Sequence, residues 1–258
     1  MEQLLVRSEK FKSLPEMFGI ENNENIMSVI AGPCAIESYE QMELVAQVLV
    51  KNNVRFIRGG AYKPRTSPYD FQGLQSDGLK IMNDIRNKYN LLAVSEIMDP
   101  RDIEIVEKHT DIMQIGSRNM QNFSLLKEVG QSKHPVLLKR GMMSTVDEFL
   151  LAAEYIASNG NKNIILCERG IRTFENSTRF TLDFSCIAIV KHETSLPVIA
   201  DLSHSLGRTD IAPMMAKALK SMGTDGIMIE AHPSPEKALS DKNRQFNLDQ
   251  LEKLLGNL

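Results

Sequence analysis

Six cations in this chain follow or end short apolar runs: Arg58, Lys63 and Arg65 after VRFI, Arg118 after DIMQI, Lys139 in PVLLKR and Arg169 after NIILCE. Guanidinium groups recognise phosphate and carboxylate through a two-pronged fork, and ammonium groups add a point charge. Gathering so many like charges is costly unless anions fill the space between them. Taken singly, each is most simply a solvated surface charge. Taken together, at the ends of several runs, they point to a pocket for more than one anionic group on small substrates. The stretch Arg58 to Gly73, RGGAYKPRTSPYDFQG, adds the hydroxyls of Thr66 and Ser67 and two prolines. Pro64 and Pro68 restrict φ and favour extended residues before them, which stiffens a cationic loop before any anion arrives.

A second set offers metal chemistry. Cys34, His204, Glu230 and Asp241 supply sulfur, nitrogen and two oxygens, a donor mixture suited to a borderline divalent ion such as Mn, Fe, Co or Zn. No local ligand spacing such as HExxH unites them, so the residues alone leave other roles open. Cys34 could be a small buried apolar residue, His204 a general base, and Asp241 a helix cap. Cys167 and Cys186 lie among apolar neighbours and read as core. His109, His134 and His192 lie away from the strand ends and carry no assigned role.

The elements that must position these groups are short apolar runs separated by amphipathic stretches. Strands are expected at MSVIAGPC, VRFIRGG, LLAVSEI, DIMQIGS, PVLLKRG, NIILCERG, PVIADLS and GIMIEAHP. These runs are rich in Val, Ile and Leu without strict alternation, as in strands buried on both faces. Helices are expected over SYEQMELVAQVLVKN, with Ser38 as cap, GLQSDGLKIMNDIRNKY, TVDEFLLAAEYIASNG, IAPMMAKALKSMG and NLDQLEKLLGNL. Thr145 followed by Glu148 has the spacing of a capping box. Met214, Met215 and Met222 are expected to pack in the core.

Eight strand–helix units in roughly 230 residues predict a single (β/α)8 TIM barrel, whose usual size is about 250 residues. Residues 27–258 form the barrel in this reading, and residues 1–26 a short N-terminal extension that packs on it. A doubly wound open sheet is the alternative, but AGPCAIES lacks the GxGxxG spacing after the first strand. In a barrel the reactive groups sit at the C-terminal strand ends. Cys34, Arg58, Glu96, Arg118, Lys139, Arg140, Glu168, Arg169, Asp201, His204, Glu230 and His232 all fall there, whereas the strand starts carry little chemistry.

Bulk composition excludes other classes. A net charge of −3 gives no reason to expect nucleic acid or an anionic membrane as partner. No apolar run approaches the ~20 residues of a bilayer span, and the mixed, charged start MEQLLVRSEKFKSLPEMF has no secretory core. The cytosol is therefore the expected location, and three scattered cysteines without a CxxC pair in a reducing compartment argue against a disulfide framework.

The motifs AGPCAIES, RGGAYKPRTSPYDFQG, QIGSRNMQN, PVLLKRGM, ILCERGIRTFE, ADLSHSLGR and IEAHPSPEKALSD, in this order over residues 27 to 243, resemble 3-deoxy-D-arabino-heptulosonate 7-phosphate (DAHP) synthases of the type I beta group. The resemblance implies a (β/α)8 barrel that condenses phosphoenolpyruvate with erythrose 4-phosphate, the first step toward shikimate. It implies metal ligation by Cys34, His204, Glu230 and Asp241. Phosphoenolpyruvate would be held by Arg58, Lys63, Arg118, Lys139 and Arg169, and the tetrose phosphate by the loop Lys63-Pro64-Arg65-Thr66 with Ser67. Lys63 and Glu96 are the candidates for proton handling, and Cys34 acts as a ligand, not a nucleophile. Leu202 stands where the family usually has proline, Ser117 where alanine is common, and no glycine follows Asp241. Family members are usually tetramers or dimers, so a homo-oligomer is expected. Many relatives carry an N-terminal domain that senses aromatic products. With only about 26 residues there, little inhibition by aromatic amino acids is expected.

Three rivals stand beside this reading. A Schiff-base aldolase would use Lys139 for a covalent adduct. A 3-deoxy-D-manno-octulosonate 8-phosphate synthase would take arabinose 5-phosphate and carries a KANRS-like loop where this chain has KPRTS. A catalytically idle barrel would not need four intact metal donors.

Overall fold

The computed structural model describes residues 4–21 and 27–258. Eight parallel strands close into a barrel in chain order, β1-β2-β3-β4-β5-β6-β7-β8, with β8 pairing back onto β1. They are β1 Ser28–Gly32, β2 Phe56–Arg58, β3 Leu92–Ile97, β4 Ile112–Ile115, β5 Val136–Lys139, β6 Ile164–Glu168, β7 Val198–Asp201 and β8 Gly226–Glu230. Helices precede, separate and follow them: α1 Leu5–Ser8, α2 Tyr39–Lys51, α3 Ser76–Tyr89, α4 Ile103–His109, α5 Phe123–Gln131, α6 Val146–Ser158, α7 Phe184–Glu193, α8 Leu202–Leu206, α9 Ala212–Ser221 and α10 Leu248–Leu255. The caps foreseen from the sequence are present. Ser38 accepts from the Gln41 N–H, and Thr145 and Glu148 close a reciprocal capping box.

Strand residues alternate between two separate apolar clusters. Ile30, Phe56, Val94, Ile112, Leu137, Ile165, Cys167, Ile199 and Met228 fill the barrel interior, while their neighbours pack outward against the helices. This alternation positions the site. Two residues beyond an inward apolar side chain, the next inward position is Arg58, Glu96, Gln114, Lys139, Arg169, Asp201 or Glu230 on successive strands. A polar layer thus caps the apolar one at the C-terminal mouth. On β1 the corresponding residue is Gly32, where a Cβ would collide with the Arg58 carbonyl oxygen. Its φ of +153° also suits glycine.

The other end of the barrel is closed from the N-terminal side. Leu14 is fully buried in the interior cluster, and Met17 and Phe18 pack against it. The Phe18 ring meets Phe56 edge-on at 5.7 Å. Further toward the N-terminus, the Leu5 and Val6 N–H groups donate to the Glu154 carboxylate on α6.

Some boundaries differ from the sequence reading. β1 stops at Gly32, short of Cys34, because Pro33 has no N–H to continue the ladder. β4 stops at Ile115, and Arg118 rides on the 3₁₀ turn Ser117–Asn119. The expected methionine core stripe is also corrected. Ala212, Ala216 and Leu219 make the buried face of α9, so Met214 points outward at 75% exposure and Met222 is 37% exposed. Only Met215 of the three packs against the core.

Candidate active site

A cavity of about 250 Å³ opens at the C-terminal mouth. All six cations singled out from the sequence line it, joined by Arg179 and Arg244, with Glu96, Gln114, His204 and Asp241 on the same wall set. Pro64 and Thr66 also face it. Ser67 lies outside the lining, where its Oγ accepts the Tyr69 N–H at 3.3 Å and closes the turn.

Three of the four metal-donor candidates converge, and His204 approaches two of them. Cys34 Sγ lies 3.4 Å from Asp241 Oδ2, and one donor atom from each of Cys34, Glu230 and Asp241 falls within 4.8 Å of the others. His204 Nε2 lies 3.5 Å from Glu230 Oε1 and 3.8 Å from Asp241 Oδ2. Burial, reinforced by Glu230, pushes the Cys34 thiol up to about 12. Burial also disfavours charge on Glu230, but His204, Arg58 and Lys63 outweigh it and hold the carboxyl at about 2. Glu230 Oε1 accepts from Arg58 Nη1 at 2.6 Å, while Oε2 is buried with no hydrogen-bond partner among the described residues. A buried, ionised carboxylate with one orphaned oxygen, grouped with a thiol and a second carboxylate and approached by an imidazole, fits a divalent cation, since such a buried group is costly unless paired or ligated.

Asp201, left without a role in the sequence reading, organises two of these groups. It is fully buried at the end of β7 and caps α8, its Oδ1 accepting the His204 N–H at 2.9 Å. Its Oδ2 accepts from His204 Nδ1 at 2.7 Å and from Lys139 Nζ at 2.5 Å. Burial opposes ionisation of Asp201, but His204 and Lys139 bring it well below the usual carboxylate range. Burial in turn lowers His204, which keeps the ring neutral. An ionised acceptor at Nδ1 puts the ring proton there and leaves the Nε2 lone pair facing Glu230 and Asp241.

The remaining cations are held with little compensation. Lys63 Nζ donates to the Cys34 carbonyl at 3.1 Å, and Arg65 Nε to the Phe71 carbonyl at 2.9 Å. The Arg169 guanidinium stacks 4.0 Å from the Phe180 ring centroid. Burial, with repulsion from Arg179, lowers Arg169 to about 10, still cationic at neutral pH. Among the described residues none of Lys63, Arg65, Arg118, Arg169 and Arg179 is paired with a carboxylate. By contrast Arg140 and Glu168, adjacent to Lys139 and Arg169, turn away from the mouth as period two requires. Arg140 Nη1 bridges Glu168 at 3.1 Å and Asp183 at 2.8 Å. His232 also lies off the cavity, its Nε2 3.5 Å from Glu37.

Arg179 and Arg244 were missed in the sequence because neither ends a strand. Arg179 lies in the loop between β6 and α7, pinned where its N–H donates to the Leu206 carbonyl at 2.9 Å. Arg244 follows Asp241 by three residues and donates to its Oδ1 at 2.8 Å.

Residues 14–257 match the model of the DAHP synthetase I family. The chain is 49% identical over 228 residues to a phospho-2-dehydro-3-deoxyheptonate aldolase of Thermotoga maritima, covering 88% of this chain and 68% of that protein. It is 28% identical over 249 residues to a 2-dehydro-3-deoxyphosphooctonate aldolase of Stenotrophomonas maltophilia, covering 89% of each. The fold superposes on the crystal structure of the Thermotoga maritima phospho-2-dehydro-3-deoxyheptonate aldolase (DAHP synthase) with a TM-score of 0.86 at 48% identity, over 89% of this chain and 67% of that one. A truncated form of the Thermotoga maritima 3-deoxy-D-arabino-heptulosonate 7-phosphate synthase gives 0.82 at 44% identity, over 89% and 84%.

Proposed function

Because this chain belongs to the DAHP synthetase I family, we propose that its cavity condenses phosphoenolpyruvate with erythrose 4-phosphate to give DAHP and inorganic phosphate. The observation that carries this reading is the set of five carboxylate-free cations lining one cavity with His204 and Asp241, beside the donor group of Cys34, Glu230 and Asp241, in a chain of net charge −3. Such a mouth is built for two small polyanions beside a cation.

In the reaction, C3 of phosphoenolpyruvate bonds to the aldehyde carbon and C2 is left electron-poor. Water adds at C2, and the hemiketal phosphate loses phosphate by cleavage of the C2–O bond, leaving the water oxygen as the ketone. Arg58, Lys63, Arg118, Lys139 and Arg169 hold the phosphoenolpyruvate anions. Arg65 and Thr66 hold the tetrose phosphate on a loop stiffened by Pro64. Fixing two anions in contact supplies most of the gain, as pre-paid orientation and charge stabilisation. Cys34, His204, Glu230 and Asp241 hold a divalent ion of the Mn, Fe, Co or Zn class, which supplies Lewis-acid polarisation of the aldehyde when bound. The Lys63 ammonium gives a proton to the former aldehyde oxygen, and Glu96 takes one from the attacking water. Asp201 holds Lys139 in place and His204 in one tautomer.

We assign the catalytic barrel to residues 27–258 and a short extension to residues 1–26, and place the enzyme in the cytoplasm as a homo-oligomer, dimer or tetramer. No helix among the described residues is long and apolar enough to cross a membrane.

The sugar is tested by measuring phosphate released from phosphoenolpyruvate with erythrose 4-phosphate or with arabinose 5-phosphate. The tetrose is expected to be preferred by at least about 100-fold in kcat/KM, the order that one extra carbon unit costs in a fitted pocket. Faster turnover of the pentose would overturn the assignment in favour of octulosonate synthesis.

A further inference from the structure

The segments that carry two of the four donors are tied together by one side chain outside the cavity lining, and the next residue's backbone holds a third. Gln245 is 4% exposed and lies outside the cavity lining. Its Oε1 accepts the Cys34 N–H at 2.9 Å, and its Nε2 donates to the Ser240 carbonyl at 2.9 Å, one residue before Asp241. Only one orientation of the amide satisfies both partners. The next residue anchors the amide to the third donor. Phe246 donates its N–H to the Glu230 carbonyl at 2.8 Å and accepts the His232 N–H at 2.9 Å, in a parallel bridge beside Ala231.

The need for such a tie is visible at Asp241. Its φ of +51° places a non-glycine residue in the left-handed region, a conformation that persists only where its surroundings enforce it. The Arg244 N–H donating to the Asp241 carbonyl at 3.0 Å closes that turn locally, but does not fix it relative to Cys34.

We propose that Gln245 is a positioning residue for the metal site, setting the separation of the Cys34 and Asp241 donors by bridging their backbones. This rests on the reading of Cys34, Glu230 and Asp241 as ligands. A residue in this position acts first on metal affinity and on the sulfur–metal contact; of the anion-binding cations only Arg58 and Lys63, which donate to the Cys34 carbonyl, share the backbone it holds.

The test is cobalt(II) binding to the metal-stripped full chain, read by competition with a chelator and by the thiolate-to-cobalt charge-transfer absorption. Phosphoenolpyruvate binding without metal is measured alongside. Gln245→Met keeps the volume and removes both hydrogen bonds, and cobalt affinity is expected to fall about 10- to 100-fold. The charge-transfer band should weaken at saturation, with phosphoenolpyruvate affinity falling by less than about 3-fold, since only Arg58 and Lys63 of its cations touch the Cys34 backbone. Gln245→Asn, one methylene too short to reach both partners, is expected to do the same, and serves if the methionine variant does not fold. Cobalt affinity and band equal to wild type in either folded variant would overturn the proposal. So would parallel loss of cobalt and phosphoenolpyruvate binding in both variants, which marks general collapse. Absence of the band in the wild-type protein would instead remove the ligand reading beneath it.

Discussion

Replacing Cys34 by serine is expected to lower kcat/KM for phosphate release by about 1,000-fold, close to 4 kcal/mol of transition-state stabilisation. The reason lies in the thiol's surroundings. Cys34 is buried beside Glu230 and Asp241, and burial, reinforced by Glu230, pushes its thiol up to about 12. A thiol of that kind is no nucleophile at neutral pH. It becomes an anionic donor only when a cation takes the place of its proton, which a serine hydroxyl does far less readily. The substitution is close to isosteric at a site tied through backbone to Gln245 and Lys63, so the fold should persist. Metal analysis of the purified variant checks the cause: the loss of activity should run with the loss of bound metal. Full activity in a variant that retains no metal would remove Cys34 from the machinery.

The second large effect falls on Asp201. Asp201→Asn is expected to reduce kcat/KM by about 100- to 1,000-fold, through two routes at once. The asparagine amide offers one acceptor where the carboxylate serves His204 Nδ1, the His204 backbone N–H and Lys139 Nζ. Loss of the orienting acceptor frees the imidazole tautomer, and outer partners of this type cost about 10- to 100-fold in metal affinity. Loss of the charge leaves Lys139 buried without its counter-ion, which is destabilising by about 3–5 kcal/mol where one partner of a buried pair is removed. The two routes are separated by measuring metal affinity and metal-free phosphoenolpyruvate affinity. Both should weaken. If only one moved, the bridging role assigned to Asp201 would be wrong.

The barrel and most of its mouth were legible in the sequence because one rule covers both. Apolar runs buried on both faces give eight strands, and period two places Arg58, Glu96, Lys139, Arg169 and Glu230 one inward step above the apolar layer. The same rule separates Lys139 from Arg140 and Arg169 from Glu168, which sequence reading placed on one rim. Only the paired register shows that Arg140 and Glu168 turn aside to hold each other. Arg179, Arg244 and Gln245 were not legible because their positions depend on loop paths. The loop between β6 and α7 returns over α8 before Arg179 reaches the cavity, and Gln245 is placed by the bridge of Phe246 to β8. The closure of the barrel floor by Leu14, Met17 and Phe18 depends likewise on a chain path that leaves no periodic signal. Asp201 was visible as a strand end, but its double duty required distances.

The central claim, that four converging donors and a cation-lined mouth act together in a metal-dependent condensation, is tested most directly by one assay with two treatments. Phosphate release from phosphoenolpyruvate and erythrose 4-phosphate is followed after metal stripping with a chelator, and separately after borohydride treatment in the presence of substrates. The expected result is loss of activity on stripping, recovery on adding a divalent ion of the Mn, Fe, Co or Zn class, and no inactivation by borohydride. Activity that survives stripping but is abolished by borohydride would contradict the account and point to a covalent adduct at Lys139.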